Sequence, residues 1–505
     1  MLVCDFLIQS AKFHPQKTAL VCGEKRMTYQ EVDRASNSLA HVLLQNGVER
    51  GDRIAIFLEN SSEAVISIFS ILKASCVFIV LNSSMKSGKL NLILKNSGAK
   101  VLITDMKRFA VAKKAATHLK SVQRIIVTDG YVKGALNMND LMERESESLP
   151  ASRCIDIDLA ALIYTSGTTG IPKGVMLTHL NMVSAATSIT QYIGNKSSDV
   201  IVNFLPLSFD YGLYQVLMAF RIGARIVLEK SFAYPYAVIS KIQSEKVTGF
   251  PGVPTIFAIL LQLKDLGKYD LSSLRYITNT GAALPLSHIQ RLREIFPHTR
   301  IYSMYGLTEC KRVSYLPPEE LDRRPTSVGK AMPNVEAYIV NGEDERVGPG
   351  EVGELVVRGA NVMKGYWRLE KETKEMLRPG PFFGESLLYT GDLFRMDEEG
   401  YLYFVARKDD IIKSRGEKVS PREIENVIYG VSQVREVAVI GVPDEILGEA
   451  VKAFVVKNDG STLTEKDIMA YCAKNLEDFM VPRFVEFISS LPKTSTGKVK
   501  KDELR

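Results

Sequence analysis

Short apolar runs alternate with helical patterns through the first half of the chain. RIAIFL (53–58) predicts a strand, SSEAVISIFSILKAS a helix, CVFIVL (76–81) a strand, and AKVLIT (99–103 at its core) and QRIIVT (123–128) two further strands. Such alternation predicts parallel sheets covered by helices. The most apolar stretch, Ala64 to Leu81, has the length of a membrane span, but Lys73 and several serines predict a buried helix followed by a strand. After about residue 325, Gly- and Pro-rich turns (MPNVE, GPGEVG, RPGPFFGE) separate short strands such as EAYIV, GELVV and YLYFV, the pattern of a small antiparallel sheet or barrel. A third pattern starts near Ala406. The charged stretch RKDDIIKSRGEK leads into SPREIENVI, where Ser420 can cap a helix, Pro421 takes its first position and Glu423 completes a capping box. Ile424, Val427 and Ile428 form one apolar stripe, strands VREVAVIGV and EAVKAFVV follow, and a helix is expected from about Leu463. The expected fold is therefore α/β. A large N-terminal domain (1–405) holds helix-covered parallel sheets and a small β-barrel-like part (about 325–405), and a small α+β C-terminal domain spans 406–505.

Length agrees with several lobes, because 505 residues exceed one compact core. Hydrophobic residues at 46% and charged residues at 24% exclude a disordered or collagen-like chain. A net charge of +6 is too mild and dispersed to indicate nucleic acid, yet it would not repel a phosphorylated ligand. Cys4, Cys22, Cys76, Cys154, Cys310 and Cys472 are scattered without a CxxC pair, so neither a disulfide framework nor a zinc site is expected. The N-terminus lacks the order of a signal peptide, and Arg505 after KDEL argues against a retention signal. A cytoplasmic enzyme without a transmembrane segment is expected.

The most informative segment is YTSGTTGIPKGVMLTH (164–179). A strand ends in a run of hydroxylated residues and glycines, followed by Pro172, Lys173 and Gly174. Glycines let backbone N–H groups converge on phosphate oxygens, hydroxyls add donors, and the lysine adds charge. The GxxxxGK[ST] pattern of a Walker A loop cannot be placed on it. GPGEVG (348–353) satisfies GxGxxG, but a strand follows where a dinucleotide fold needs a helix. The histidines show no metal-ligand spacing, and His179 is read as structural.

With MYGLTE (304–309), GELVVRGANVMKGYW (353–367), YTGDL (389–393), ARKDDIIKSRGEKVSPREIE (406–425) and PKTSTGKVKK (492–501), that segment resembles the AMP-forming adenylating superfamily over essentially the whole chain. The superfamily comprises acyl- and aryl-CoA synthetases, adenylation domains of peptide synthetases, and luciferases. Stand-alone acyl-CoA ligases look most similar. The resemblance implies a two-step reaction: a carboxylate attacks the α-phosphate of ATP to give an acyl-adenylate and pyrophosphate, and a thiol then displaces AMP. It further implies that Thr165, Ser166, Gly167, Thr168, Thr169, Gly170 and Lys173 hold the β- and γ-phosphates. Tyr305 would lie against adenine, with Gly281, Ala282 and Ala283 along its edge, and Gly306 would be a further ATP/AMP-binding residue. Thr308 would touch the α-phosphate, and Glu309 would hold Mg²⁺, a cation suited to one carboxylate plus phosphate oxygens. Asp392 would accept the ribose hydroxyls, reinforced by Arg407. Lys498 would bridge acid and α-phosphate, so that Lys498, Glu309, Thr308 and Thr168 form the implied catalytic set. Asp409 matches the hinge of a mobile C-terminal domain, and Gly416 would line the thiol channel. Ala406 stands where a glycine is usual.

LPLSFDYGLYQ (205–215) bears on the acid. Phe209 and Asp210 are similar to the FD pair of amino-acid-activating domains, whose Asp pairs with the substrate ammonium. Against that, Asp210 could bond a neighbouring base in a pocket for a plain acid. Phe209, Asp210, Tyr211, Val253, Gly281 and Met304 are the expected pocket residues, whereas Phe257, Ile259 and Leu260 read as helix core. The co-substrate is CoA or the phosphopantetheine of a carrier protein. A plain acid loaded onto CoA is the main expectation, and an amino acid loaded onto a carrier protein the alternative. A luciferase-like oxygenase and a catalytically silent binding subunit are further alternatives.

Overall fold

The computed structural model describes residues 1–166, 172–414, 417–444, 448–494 and 499–504. Two large sheets carry the N-terminal part. In the first, Arg300–Tyr305, Tyr276–Asn279, Gly249–Gly252, Val200–Asn203, Arg225–Leu228 and Thr18–Cys22 run parallel, with antiparallel strands at both edges. In the second, Val77–Val80, Arg53–Phe57, Val101–Thr104, Arg124–Val127 and Leu136–Asn137 are parallel. Strands read from RIAIFL, CVFIVL, AKVLIT and QRIIVT all lie here. They are apolar on both faces because helices cover both faces, and side chains from the two sheets enter one continuous core.

Ser62–Lys73 is helical and buried along nearly its whole circumference. Its lysine is tolerated because the Lys73 ammonium donates to Asp33 Oδ1 at 2.6 Å and to Ser36 Oγ and Asn37 Oδ1 at 2.7 Å. A buried helix and then strand Val77–Val80 therefore occupy the stretch of membrane-span length, and among the described residues no helix is long and apolar enough to cross a membrane.

Val335–Val340, Val352–Gly359, Leu377–Pro379, Ser386–Met396 and Leu402–Arg407 build an antiparallel sheet over its own apolar cluster, which also takes in Cys310 and Val313. Strand Val352–Gly359 follows GPGEVG, as the sequence predicts. Beyond it, Val434–Asp444, Gly448–Lys457, Phe484–Phe487 and two short strands form a further sheet, packed on helices Pro421–Ile428 and Glu465–Asn475 around a separate core. Ile424 and Ile428 are fully buried, as the stripe predicts.

The capping box at Ser420 does not form. Ser420 holds the N-cap position, but its hydroxyl donates to the Val405 carbonyl at 2.6 Å, tying the helix to strand Leu402–Arg407 instead of satisfying its own first turn. The next helix is capped in the regular way by Thr464 with Asp467.

His179 opens helix His179–Ile193 from a fully buried position and accepts the Val3 N–H on Nδ1 at 3.0 Å. Burial pushes its pKa down from 6.5 to about 4. Below pH 6.5 the unfolded chain binds a proton that the folded chain refuses until about pH 4. Stability should therefore fall across that window, by roughly 3 kcal/mol in total at ~1.4 kcal/mol per pH unit. Denaturant titrations of His179→Asn should show a shallower acid slope than the unsubstituted protein. An equal slope would remove His179 as its source.

Candidate active site

Ligands of open α/β sheets bind beyond the carboxyl ends of the parallel strands. The expected site residues leave the first sheet at those ends. Strand Val200–Asn203 leads to Phe209, Asp210 and Tyr211, strand Gly249–Gly252 to Val253, and strand Tyr276–Asn279 to Gly281, Ala282 and Ala283. Strand Arg300–Tyr305 carries Met304 and ends at Tyr305, followed by Gly306, Thr308 and Glu309.

The second sheet supplies the hairpin expected to hold phosphate. Strand Leu159–Ser166 pairs antiparallel with Pro172–Thr178, placing Thr165 opposite Lys173 and Ser166 opposite Pro172. Gly167, Thr168, Thr169 and Gly170, at the turn between these strands, lie outside the described residues, as do Gly416 and Lys498. Gly365–Tyr366 adds a short strand to the free edge of the hairpin, and the Trp367 N–H donates to the Gly174 carbonyl at 2.7 Å.

That added strand brings in Tyr366, which the sequence did not single out. Its hydroxyl donates to Glu309 Oε1 at 2.7 Å, and Lys173 Nζ lies 5.3 Å from its ring centroid. Tyr366 thus links the hairpin lysine to the carboxylate expected to hold metal. Burial pushes the Glu309 carboxyl above its ordinary range, and the Tyr366 hydrogen bond works in the opposite direction. Among the described residues, no three His, Cys, Asp or Glu side chains converge as a metal site.

Tyr305, Asp392 and Arg407 form a second group. The Tyr305 hydroxyl donates to Asp392 Oδ2 at 2.5 Å, its ring packs edge-on against Phe394 at 4.8 Å, and Arg407 Nε lies 3.4 Å from Asp392 Oδ1. Arg407 stands directly opposite Asp392 in the sheet register. Asp409 follows in the short turn Lys408–Asp410. Gly306 is required by close approach, since a Cβ there would meet the Lys311 carbonyl at 2.4 Å. Gly281 is required by conformation, with φ of +87°. The space before Gly281 is bounded by Val253 Cγ1, 3.6 Å from where a Cβ would stand.

The third group answers the question raised by Asp210. Lys311 Nζ lies 3.2 Å from Asp210 Oδ2, and both side chains are buried, with 3% and 9% exposure. The ammonium also faces the rings of Tyr211 at 5.2 Å and Tyr214 at 4.7 Å. Burial pushes Lys311 down to about 8, and Asp210 opposes that shift. The neighbouring base considered for Asp210 is therefore present in the chain itself. Arg312 is also buried and donates to Thr280 Oγ1 at 2.6 Å, while the Tyr211 hydroxyl meets Thr278 Oγ1 at 2.6 Å. Phe209 sits edge-on to Tyr211 at 6.1 Å, and the Tyr192 hydroxyl lies 2.9 Å from Met304 Sδ. Phe257 and Leu260 are buried core, as expected, whereas Ile259 is only partly buried against it.

Residues 7–367 match the AMP-binding enzyme family, and residues 423–498 match the AMP-binding enzyme C-terminal domain. The chain belongs to the AMP-binding enzyme family. It is 33% identical to a long-chain-fatty-acid–CoA ligase of Bacillus subtilis (strain 168), over 98% of this chain and 92% of that one. It is 34% identical to a feruloyl-CoA synthase of Amycolatopsis sp, over 99% of this chain and 97% of that one. Among solved structures, the anthranilate CoA ligase AuaEII in complex with anthranoyl-AMP superposes with a TM-score of 0.93 at 29% identity, covering 100% of this chain and 96% of that chain. Membership accounts for the order of the motifs along the chain and for their convergence at the strand ends.

Two outcomes follow from the geometry. Tyr366→Phe should slow ATP–pyrophosphate exchange by roughly tenfold, because a hydrogen bond to a charged group contributes about 1.5–3 kcal/mol. It should also raise the Mg²⁺ concentration needed for half-maximal rate; an unchanged Mg²⁺ requirement would mean that Tyr366 does not position Glu309. Lys311→Met alone should destabilise the protein by about 3–5 kcal/mol in urea unfolding by leaving a buried carboxylate unpaired, and the double variant Asp210→Asn/Lys311→Met by much less. Equal losses in the single and double variants would show that the two residues are uncoupled.

Proposed function

We propose that this chain is an AMP-forming acid–thiol ligase that converts a carboxylic acid and ATP to an acyl-adenylate and pyrophosphate, then passes the acyl group to CoA. The observation that carries this is the meeting of Lys173, Tyr366 and Glu309 at the base of the phosphate hairpin, beside the Tyr305–Asp392–Arg407 group. One group is suited to a triphosphate, the other to a nucleoside.

In the first step a carboxylate oxygen bonds to the α-phosphorus and pyrophosphate leaves with the bonding pair. Negative charge gathers on phosphate oxygens, and preorganised cations and donors lower that barrier. Lys173 would hold the β- and γ-phosphates together with Thr165, Ser166, Gly167, Thr168, Thr169 and Gly170. Asp392 accepts a hydrogen bond from the Tyr305 hydroxyl and would accept one from a ribose hydroxyl in the same way. Glu309 fits Mg²⁺ as a single protein carboxylate whose remaining partners would be phosphate oxygens, and the cation would neutralise developing charge. Lys498 would supply the mobile cation between acid and α-phosphate.

In the second step a thiolate attacks the acyl carbonyl and AMP leaves. Residues 406–505 would turn about Asp409 to withdraw Lys498 and open a thiol channel at Gly416. The separate apolar core of this region suits motion as a unit. Cys4, Cys22, Cys76, Cys154, Cys310 and Cys472 as free thiols suit a reducing compartment such as the cytoplasm. An amino acid loaded onto a carrier protein is the less favoured reading, since Asp210 already has a cation.

Exchange of labelled pyrophosphate into ATP should depend on an added acid, and Lys498→Ala should reduce it by roughly 100-fold or more. Exchange at the unsubstituted rate in that variant would overturn the role of Lys498. Exchange with no acid in a fatty and aromatic panel would overturn the ligase.

A further inference from the structure

Asp210, Lys311 and Arg312 set three buried charges around Tyr211, a residue expected to line the acyl pocket. We propose that Lys311 and Arg312 are specificity-determining residues that admit acids lacking an ammonium group and reject those that carry one. This rests on the ligase reading above and names the substrate class within it.

The position that a substrate ammonium would take is filled. Lys311 Nζ is 3.2 Å from Asp210 Oδ2 and faces the Tyr211 and Tyr214 rings, so the carboxylate and the aromatic faces that attract a cation already hold one. The main chain that carries this lysine is held in place. Its backbone is left-handed at φ +64°, and Asn361 Nδ2 donates to the carbonyls on either side, Cys310 at 2.8 Å and Arg312 at 2.9 Å. Arg312 adds a second buried cation, with Thr280 Oγ1 as its hydrogen-bond partner and no carboxylate within ion-pair distance among the described residues. Glu309 is turned the other way, bonded to Tyr366 on the phosphate side. Among the described residues, Lys311 Nζ and the Arg312 guanidinium both lie over the Tyr211 ring, at 5.2 and 5.5 Å, and Asp210 is the one carboxylate paired with either of them. An entering ammonium would meet like charges that water screens poorly, whereas an uncharged acyl chain would not. The Asp210 carboxylate, which in isolation suggests an amino-acid site, is the counter-ion of Lys311.

Pyrophosphate exchange with matched acids tests this: 3-phenylpropanoate against phenylalanine, and hexanoate against 6-aminohexanoate. The unsubstituted enzyme should favour the member without nitrogen by roughly 100-fold in kcat/KM. Lys311→Met exposes Asp210 to the substrate and should narrow that ratio at least tenfold, whereas Asp210→Asn/Lys311→Met removes the carboxylate too and should keep it within about threefold of the original. Arg312→Gln, a variant independent of the pair, should narrow it by about threefold or more. Each ratio is taken within one preparation, so loss of folded enzyme cancels. Similar rates for both members of each pair in the unsubstituted enzyme, or an unchanged ratio in both Lys311→Met and Arg312→Gln, would overturn the charge filter while leaving the ligase intact. Exchange with none of the four acids would count against the ligase itself.

Discussion

The site depends on how one turn is held. Residues Tyr305–Arg312 leave the carboxyl end of a parallel strand and send successive side chains in different directions: Tyr305 to Asp392, Glu309 to Tyr366, Lys311 to Asp210 and Arg312 to Thr280. A turn this tightly folded needs close backbone approach, provided by Gly306, and a left-handed residue, which here is Lys311. Asn361 offsets the strain by bonding both carbonyls around that residue. Strand Arg300–Tyr305 fixes where the turn starts, and strand Ser314–Leu316, paired antiparallel with it, fixes where it ends. The groups proposed to contact nucleotide and acid are thereby carried by one backbone segment, so a change at one is felt at the others.

The same arrangement explains how buried charge is tolerated. Lys73 deep in helix Ser62–Lys73 and Lys311 beside Tyr211 are both desolvated, and each is held by a carboxylate. They differ in surroundings. Lys73 has three further oxygen acceptors, whereas Lys311 has one carboxylate oxygen and two aromatic faces. Fewer fixed partners leave the local charge able to act on whatever enters.

Much of this was readable from residue order. Buried parallel strands declare themselves as unbroken apolar runs, so RIAIFL and CVFIVL located the second sheet directly. The motifs placed Lys173, Tyr305, Glu309, Asp392 and Arg407 on the segments that converge. What was hidden depended on pairing at a distance. Asp210 and Lys311 are 101 residues apart, and a Lys–Arg pair after a motif reads as solvent-facing unless a partner is known. Tyr366 lay inside a quoted motif, yet its hydroxyl acquires meaning only when Gly365–Tyr366 joins the hairpin edge. Ser420 misled for a related reason: a local capping pattern lost to a carbonyl from a neighbouring strand.

The most direct test of the account is electron density from a crystal of this protein soaked with ATP. The triphosphate should lie along the hairpin between Thr165 and Lys173, with its α-phosphate towards Glu309 and its ribose at Asp392. A triphosphate bound elsewhere on the molecule would contradict the assignment of the site.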